Sequence, residues 1–326
     1  MRFVFATHAF CGVIDLEEEN QWKIRSHQIL AQGHHYGTAL LDNGGFVSFR
    51  RQSKYQGSEL ATYRQQQGQY EIVETQPIPF AYGSVHQIAY VQKQFFITNT
   101  DYNRLVIYEP GKPIIEGIID DADFDQNHLN SVYPCGEYIY VLLHNLGKTE
   151  SEIIVFQQQN QRLILLHRTR LWDFGCHNIF VGENELVYNG SSRGHCVWVD
   201  LKRNRRKARL EFGGHTKGLS VTQRYIVVGC TPTVTRAVRD QAPAVLKIID
   251  RKTFCHIADV DLNFPELSQP IGNLNEVRCL SEPELAHANI KGLSTPFQPW
   301  SLASRDLAYQ AYHRLNRLKR GFLPRG

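Results

Sequence analysis

No stretch of about 18 apolar residues occurs anywhere in the chain, so no membrane-spanning helix is indicated. The seven cysteines, at positions 11, 135, 176, 196, 230, 255 and 279, are odd in number and include no CxxC pair. That pattern supports neither a disulfide framework nor a cysteine zinc site. Most lie in apolar segments, where a thiol behaves as a small buried hydrophobe; Cys176, beside His177, is the one candidate for an exposed, nucleophilic thiol. A Gly-rich phosphate loop, a GxSxG elbow and an HExxH helix are also missing, which removes the motif-borne routes to nucleotide binding, α/β-hydrolase chemistry and zincin chemistry. Charge of one sign is scarce as well. The net charge is only +4, and the segment 304–326, with six Arg or Lys against Asp306, more than accounts for it. The remainder is nearly neutral, so bulk nucleic-acid binding is not implied. The opening MRFVFATHAFCGVID has one Arg, an apolar stretch broken by His8 and no small-residue cleavage pattern; it does not read as a secretory signal, and a cytoplasmic protein is expected.

What is present is a repeat. Histidines at or just before a short apolar strand, followed by a turn and a second apolar strand, recur at His34-His35-Tyr36, His86, His128-Leu129-Asn130, His177 and His215-Thr216-Lys217. A period of roughly 40–58 residues with two to four strands per unit is the signature of a β-propeller. Inner strands are expected near 36, 86, 130, 177, 217 and 275, which makes six blades. The last inner strand, IGNLNEVRCL, has no second strand after it, whereas RFVFATH, CGVIDLEE and WKIRSHQI at the start have no inner strand before them. Pairing the two ends closes the ring and removes an exposed edge. Third strands are read in LVIYEP, EIIVFQQ, CVWVDL and VLKIID from their alternation. Blade two looks irregular, with FRRQSKYQGSELATYRQQQGQYEIVET in place of a tight hairpin. The expected architecture is therefore all-β: a single six-bladed β-propeller over 1–290, a Pro-containing linker over 291–300 and a C-terminal helical extension over 301–326.

In such a ring the starts of the inner strands and the turns between second and third strands open on one face. His34, His35, His86, His128, His177 and His215 belong to the first group, and His8, His144 and His195 to the second, so nine of the 14 histidines map to one mouth. Asn130, Lys217, Asn275, Arg50, Arg51, Lys54, Arg104, Arg193, Arg236 and Arg239 join them, opposed mainly by Glu276 and the acidic loop 120–125. Three readings are open. The histidines fill a crowded axis and satisfy backbone groups. Or His34, His128 and His215, from alternate blades, hold a transition metal such as zinc or iron with near-threefold symmetry. Or an anionic small molecule or peptide group is held at a site of His86, Asn130, His177, Lys217, Asn275, Glu276 and Arg193, with charge-assisted hydrogen bonds from the lysine, the histidines and the arginine. The sparse carboxylates of the mouth argue against acid–base enzymology. A binding or interaction module is favoured over a metal-dependent lyase, hydrolase or oxygenase.

HQIAYVQKQFFITNT, NHLNSVYPCGEYIYVLL, CHNIFVGENELVYNGSSRGHCVWVDL, HTKGLSVTQRYIVVG and NEVRCLSEPELAH resemble the repeat segments of a bacterial family of uncharacterised propeller-like proteins, a domain of unknown function. The resemblance covers roughly 83–290; it implies a propeller with His86, His128, Asn130 and His177 at matching positions, and no activity. More distantly the chain is similar to the six-bladed lactonase and gluconolactonase class. That class holds an axial calcium with carboxylates and asparagines, and the equivalent positions here carry histidines, a lysine, Asn130, Asn275 and Glu276 instead.

Two basic segments remain. Residues 201–212, LKRNRRKARLEF, read as the hairpin between the third and fourth strands of blade five, with no interleaved aromatic. In the tail, Leu307, Ala311, Leu315 and Leu318 recur at helical spacing, Ser304 can cap the start and Gly321 with Pro324 can end it. Such a helix packs back on a blade or serves as an arm for a partner protein or an anionic membrane surface.

Overall fold

All six expected blades form, each a four-stranded antiparallel sheet. The computed structural model of the chain describes residues 1–282 apart from 20, 53–56, 120–123, 204, 236–237 and 268. Blade one joins β1 (Arg2–Ala6), β2 (Phe10–Glu18) and β3 (Trp22–Gln32) to β24 (Glu276–Cys279), so that both ends of the described chain meet in one sheet, with Phe3 opposite Cys279 and Ala6 opposite Glu276. Blade two is β4 (His34–Leu40), β5 (Phe46–Arg51), β6 (Glu59–Gln66) and β7 (Gln69–Pro77). Blade three is β8 (Ile88–Val91), β9 (Gln94–Asn99), β10 (Arg104–Tyr108) and β11 (Ile115–Ile118). Blade four is β12 (Leu129–Cys135), β13 (Tyr138–Leu143), β14 (Glu152–Gln159) and β15 (Arg162–Arg170). Blade five is β16 (His177–Val181), β17 (Glu185–Gly190), β18 (His195–Asp200) and β19 (Arg205–Glu211). Blade six is β20 (Gly214–Val221), β21 (Tyr225–Pro232), β22 (Val245–Asp250) and β23 (Cys255–Asp261). The innermost strands β4, β8, β12, β16, β20 and β24 touch one another in turn and close the circle.

The apolar core lies between adjacent blades. Phe3 and Phe5 of β1 pack with Leu246 and Ile248 of β22, and Leu105 and Ile107 of β10 pack with Val141 and Ile154 of blade four. This explains a departure from the sequence pattern. The third strands β10 and β14 are buried on both faces over most of their length, because each blade is covered on both sides by its neighbours. The outermost strands β3 and β19 keep the polar, partly exposed character of an edge. In blade two the last two strands are joined by a tight turn at Gln67 and Gly68, both in the left-handed region, whereas β5 and β6 are separated by residues 52–58. The basic segment of blade five is corrected, since most of it is the outer strand β19 itself. The aromatics missing from its sequence come from neighbours, with Lys207 Nζ 3.4 Å from the ring centre of Trp198 and the Arg206 guanidinium 5.6 Å from that of Trp172.

One backbone device repeats at the site. β4, β12, β16 and β20 each carry a register shift near the start, at Gly37, Asn130, Asn178 and Lys217-Gly218. A bulge adds a residue to one strand and re-aims the side chains beside it. At Gly37 (φ +69) a Cβ would lie 2.5 Å from the backbone nitrogen of Ile88, so β8 approaches β4 too closely for any side chain there. Among the described residues no helix is long and apolar enough to cross a membrane. The expected helix 301–326, the linker 291–300 and residues 283–290 lie outside the described residues, as do Lys54, Arg236 and the loop positions 120–123.

Candidate functional site

Eight aromatic rings form a continuous arc. His34 stacks on His8 (ring centres 5.8 Å apart), His8 meets Tyr36 (4.9 Å), and Tyr36 meets His86 (5.8 Å). The arc continues from His86 to His128 (4.7 Å), His144 (5.1 Å), His177 (4.8 Å) and His215 (5.4 Å). Two local rules place them. His34, Tyr36, His86, His128, His177 and His215 stand at or just before the start of an inner strand, while His8 and His144 stand in the turn between the second and third strands of their blades. Seven of the nine histidines expected together are therefore together.

The other two are turned inward. His35, adjacent to His34 on a strand, faces the opposite way; it is 1% exposed, with Nδ1 3.0 Å from Ser48 Oγ. His195 is fully buried, its Nε2 3.1 Å from Asp173 Oδ2, and Tyr188 donates its hydroxyl to the same carboxylate at 2.8 Å. Burial opposes ionisation of Asp173, but the hydrogen bonds and charge of His195, with Tyr188 and Arg193 added, outweigh it and hold the carboxyl at about 2. The charge of Arg193 thus acts on this tie, which lies apart from the arc.

Lys217 supplies the positive charge within the arc. Its Nζ donates to Asn275 Oδ1 at 2.8 Å, and Asn275 Nδ2 donates to the His35 carbonyl at 2.9 Å. Burial lowers the pKa values of His8, His86, His144, His177 and His215, and repulsion from Lys217 adds to the effect at every one of them. His144 and His215 are both brought to about 3. These imidazoles are neutral at pH 7, each with one N–H donor and one acceptor nitrogen. The Nδ1 atoms of His86 and His144 and the Nδ2 of Asn130 are buried without a hydrogen-bond partner. Among the described residues two acids touch the arc, Asp240 at His8 Nδ1 (2.9 Å) and Asp125 at His128 Nδ1 (2.8 Å).

Glu276 occupies a different position from the one expected of a ligand group. It is 1% exposed, and its carboxylate receives Gln87 Nε2 at 2.5 Å, Asn178 Nδ2 at 3.3 Å and the Arg278 guanidinium at 3.3 Å. Gln87 Oε1 accepts from Val132 N–H and Asn178 Oδ1 from Gly218 N–H, both at 2.7 Å. The carboxylate is thus an axial tie between blades one, three and five. Burying it costs little only because each oxygen is matched.

The three proposed metal ligands are not assembled. His34 adjoins His8, His128 adjoins His86 and His144, and His215 adjoins His177; among the described residues no group of three or more His, Cys, Asp or Glu side chains is placed to hold a metal ion. The turn histidines His8 and His144 stand beside the inner-strand histidines, so the rings follow one another along an arc. Cys176 is also corrected: it is fully buried, and burial raises its thiol pKa, so it is no exposed nucleophile. Cys255 is the exposed cysteine.

Sequence reasoning passed over Gln87, Asn178, Asp240 and the pairing of Arg51 with Tyr36. A signal for the first two existed. In His86-Gln87 and His177-Asn178 a second polar residue follows the histidine, where simple alternation calls for an apolar one.

No family model matches the chain, and no curated protein matches it. The resemblance to an uncharacterised bacterial family therefore rests on short motifs alone. Solved structures do match in fold. A chain of a nidogen/laminin complex is 12% identical with a TM-score of 0.60, covering 85% of this chain and 97% of that one. A protein of unknown function from Bacteroides caccae is 11% identical with a TM-score of 0.58, covering 85% and 97%. A Bacteroides fragilis NCTC 9343 protein put forward as a 6-phosphogluconolactonase is 10% identical with a TM-score of 0.54, covering 85% and 96%. At such identities the likeness establishes the propeller fold and leaves function to the site.

Proposed function

We propose that the histidine arc is the mouth of a binding propeller that holds an anionic small molecule or peptide group, a carboxylate or phosphate. The observation that carries this reading is Lys217, an ammonium whose charge is felt by five surrounding imidazoles. A metal cation entering there meets that charge as repulsion, whereas an anion meets it as attraction. Neutral imidazole N–H groups and the unpartnered Asn130 amide supply further donors to oxyanion oxygens. Asn275 fixes the Lys217 side chain, so little rotamer freedom is left to lose on binding.

The test is calorimetric titration of the full chain, purified without a histidine tag, with inorganic phosphate and with acetate. Lys217→Met should weaken binding by about 1.5–3 kcal/mol, the range for hydrogen bonds to charged groups. Elemental analysis of the same sample decides the rival reading. Stoichiometric zinc or iron that His128→Ala removes would overturn the anion reading in favour of a metal site.

A further inference from the structure

We infer that the ligand of this mouth carries at least two anionic groups, one received by Lys217 within the arc and the second by Arg51 on the rim; the inference rests on the anion-binding reading above. Arg51 lies at the end of β5, opposite His34 in the β4 register. Its guanidinium carbon stands 4.9 Å from the ring centre of Tyr36, and Tyr36 is itself a member of the arc, between His8 and His86. The positive charge is thus mounted on the arc and not merely near it. Its effect reaches His86, as does that of Lys217, so His86 is influenced by both cationic centres.

The two adjacent arginines of β5 are used differently. Arg50 is matched by Glu59, 2.9 Å away, while Arg51 meets an aromatic face. A guanidinium held against an aromatic ring keeps N–H groups that can bind an oxyanion in two-pronged fashion. Three described carboxylates near the arc are engaged by side chains: Asp240 holds His8 and Asn273, Asp125 holds His128, and Glu276 is held by Gln87, Asn178 and Arg278. Tyr36, the ring that Arg51 faces, lies between His8 and His86, and the charge of Lys217 acts on both of those imidazoles; such hydrogen-bonding side chains suit the polar linkage of a two-headed ligand.

The test compares inorganic phosphate with pyrophosphate by calorimetry on the full chain, at matched ionic strength. Pyrophosphate should bind about tenfold or more tightly than phosphate, the gain of one further charge-assisted contact. Arg51→Gln should remove that advantage, weakening pyrophosphate binding by about tenfold more than phosphate binding; Arg51→Lys, which keeps the charge, should retain part of it, and unchanged thermal midpoints will show that both variants fold. Equal affinity of the two anions, or a pyrophosphate advantage that survives Arg51→Gln, would overturn the inference while leaving the anion reading standing. Failure of either anion to bind the unaltered protein would overturn both.

Discussion

The buried histidines make stability at mildly acid pH a direct measure of this site. His35 is brought to about 4 by burial and the charge of Arg50, and His144 and His215 to about 3 by burial with repulsion from Lys217 and, for His144, neighbouring imidazoles; His86 and His177 are lowered as well. In the unfolded chain each returns to about 6.5. The sign follows from proton counting. Below 6.5 the unfolded chain takes up protons that the folded chain excludes, so the stabilisation is complete above that pH and is lost as pH falls toward 3–4. Each histidine contributes a slope of about 1.4 kcal/mol per pH unit in this window. At pH 5 that is about 2 kcal/mol for one residue and, as an upper limit, about 6 kcal/mol for His35, His144 and His215 together, comparable with the whole stability of a typical domain. Carboxylates do not confuse the window, because the support from lowered groups such as Asp173 is lost only below about 4. Urea unfolding at half-unit steps from pH 7 to 4.5 should show stability falling steeply, and His144→Gln should flatten the curve by about 1.4 kcal/mol per unit. Identical slopes for the unaltered protein and the variant would refute the argument that His144 is held neutral by its surroundings.

Two further outcomes are expected. Glu276→Ala leaves Arg278 as a buried charge without its carboxylate and should cost about 3–5 kcal/mol. Glu276→Gln keeps an acceptor for Gln87 and Asn178 and should cost measurably less, and equal denaturation midpoints for the two would contradict the axial tie. Deleting residues 1–32 removes β1, β2 and β3 and leaves β24 unpaired; the product should lose solubility, and a soluble product with cooperative unfolding would contradict closure by the two ends.

The ring was legible because its signals are periodic. His-led inner strands and third strands such as VLKIID repeat often enough to count, and the unpartnered IGNLNEVRCL names its own partner at the other end of the chain. The site was legible in part. Position along an inner strand located His86, His177 and Lys217 at one mouth, but facing within a strand depends on a one-residue register. Bulges at Asn130, Asn178 and Lys217-Gly218 set that register, and no local composition announces them. His34 and His35 illustrate the result: neighbours in sequence, one ends on the arc and the other beneath it. The interaction of Arg51 with Tyr36 and the burial of Cys176 are likewise products of packing between strands and blades, which the order of residues does not display.

Closure by β24 ties the site to the order in which the chain is assembled. That strand follows every other described strand in sequence, yet it pairs with β1 at the far end of the chain, Ala6 opposite Glu276, and Asn275, which fixes Lys217, immediately precedes it. Long-range pairing of this kind forms late. A nascent or partly opened ring therefore has its histidines in place but no amide to orient the ammonium and no Glu276 to tie the axis. The proposed recognition therefore depends on the same event that seals the seam. If the mouth holds an anion at Lys217 as proposed, that ligand stabilises the sealed form by mass action and acts as a clasp on the ring.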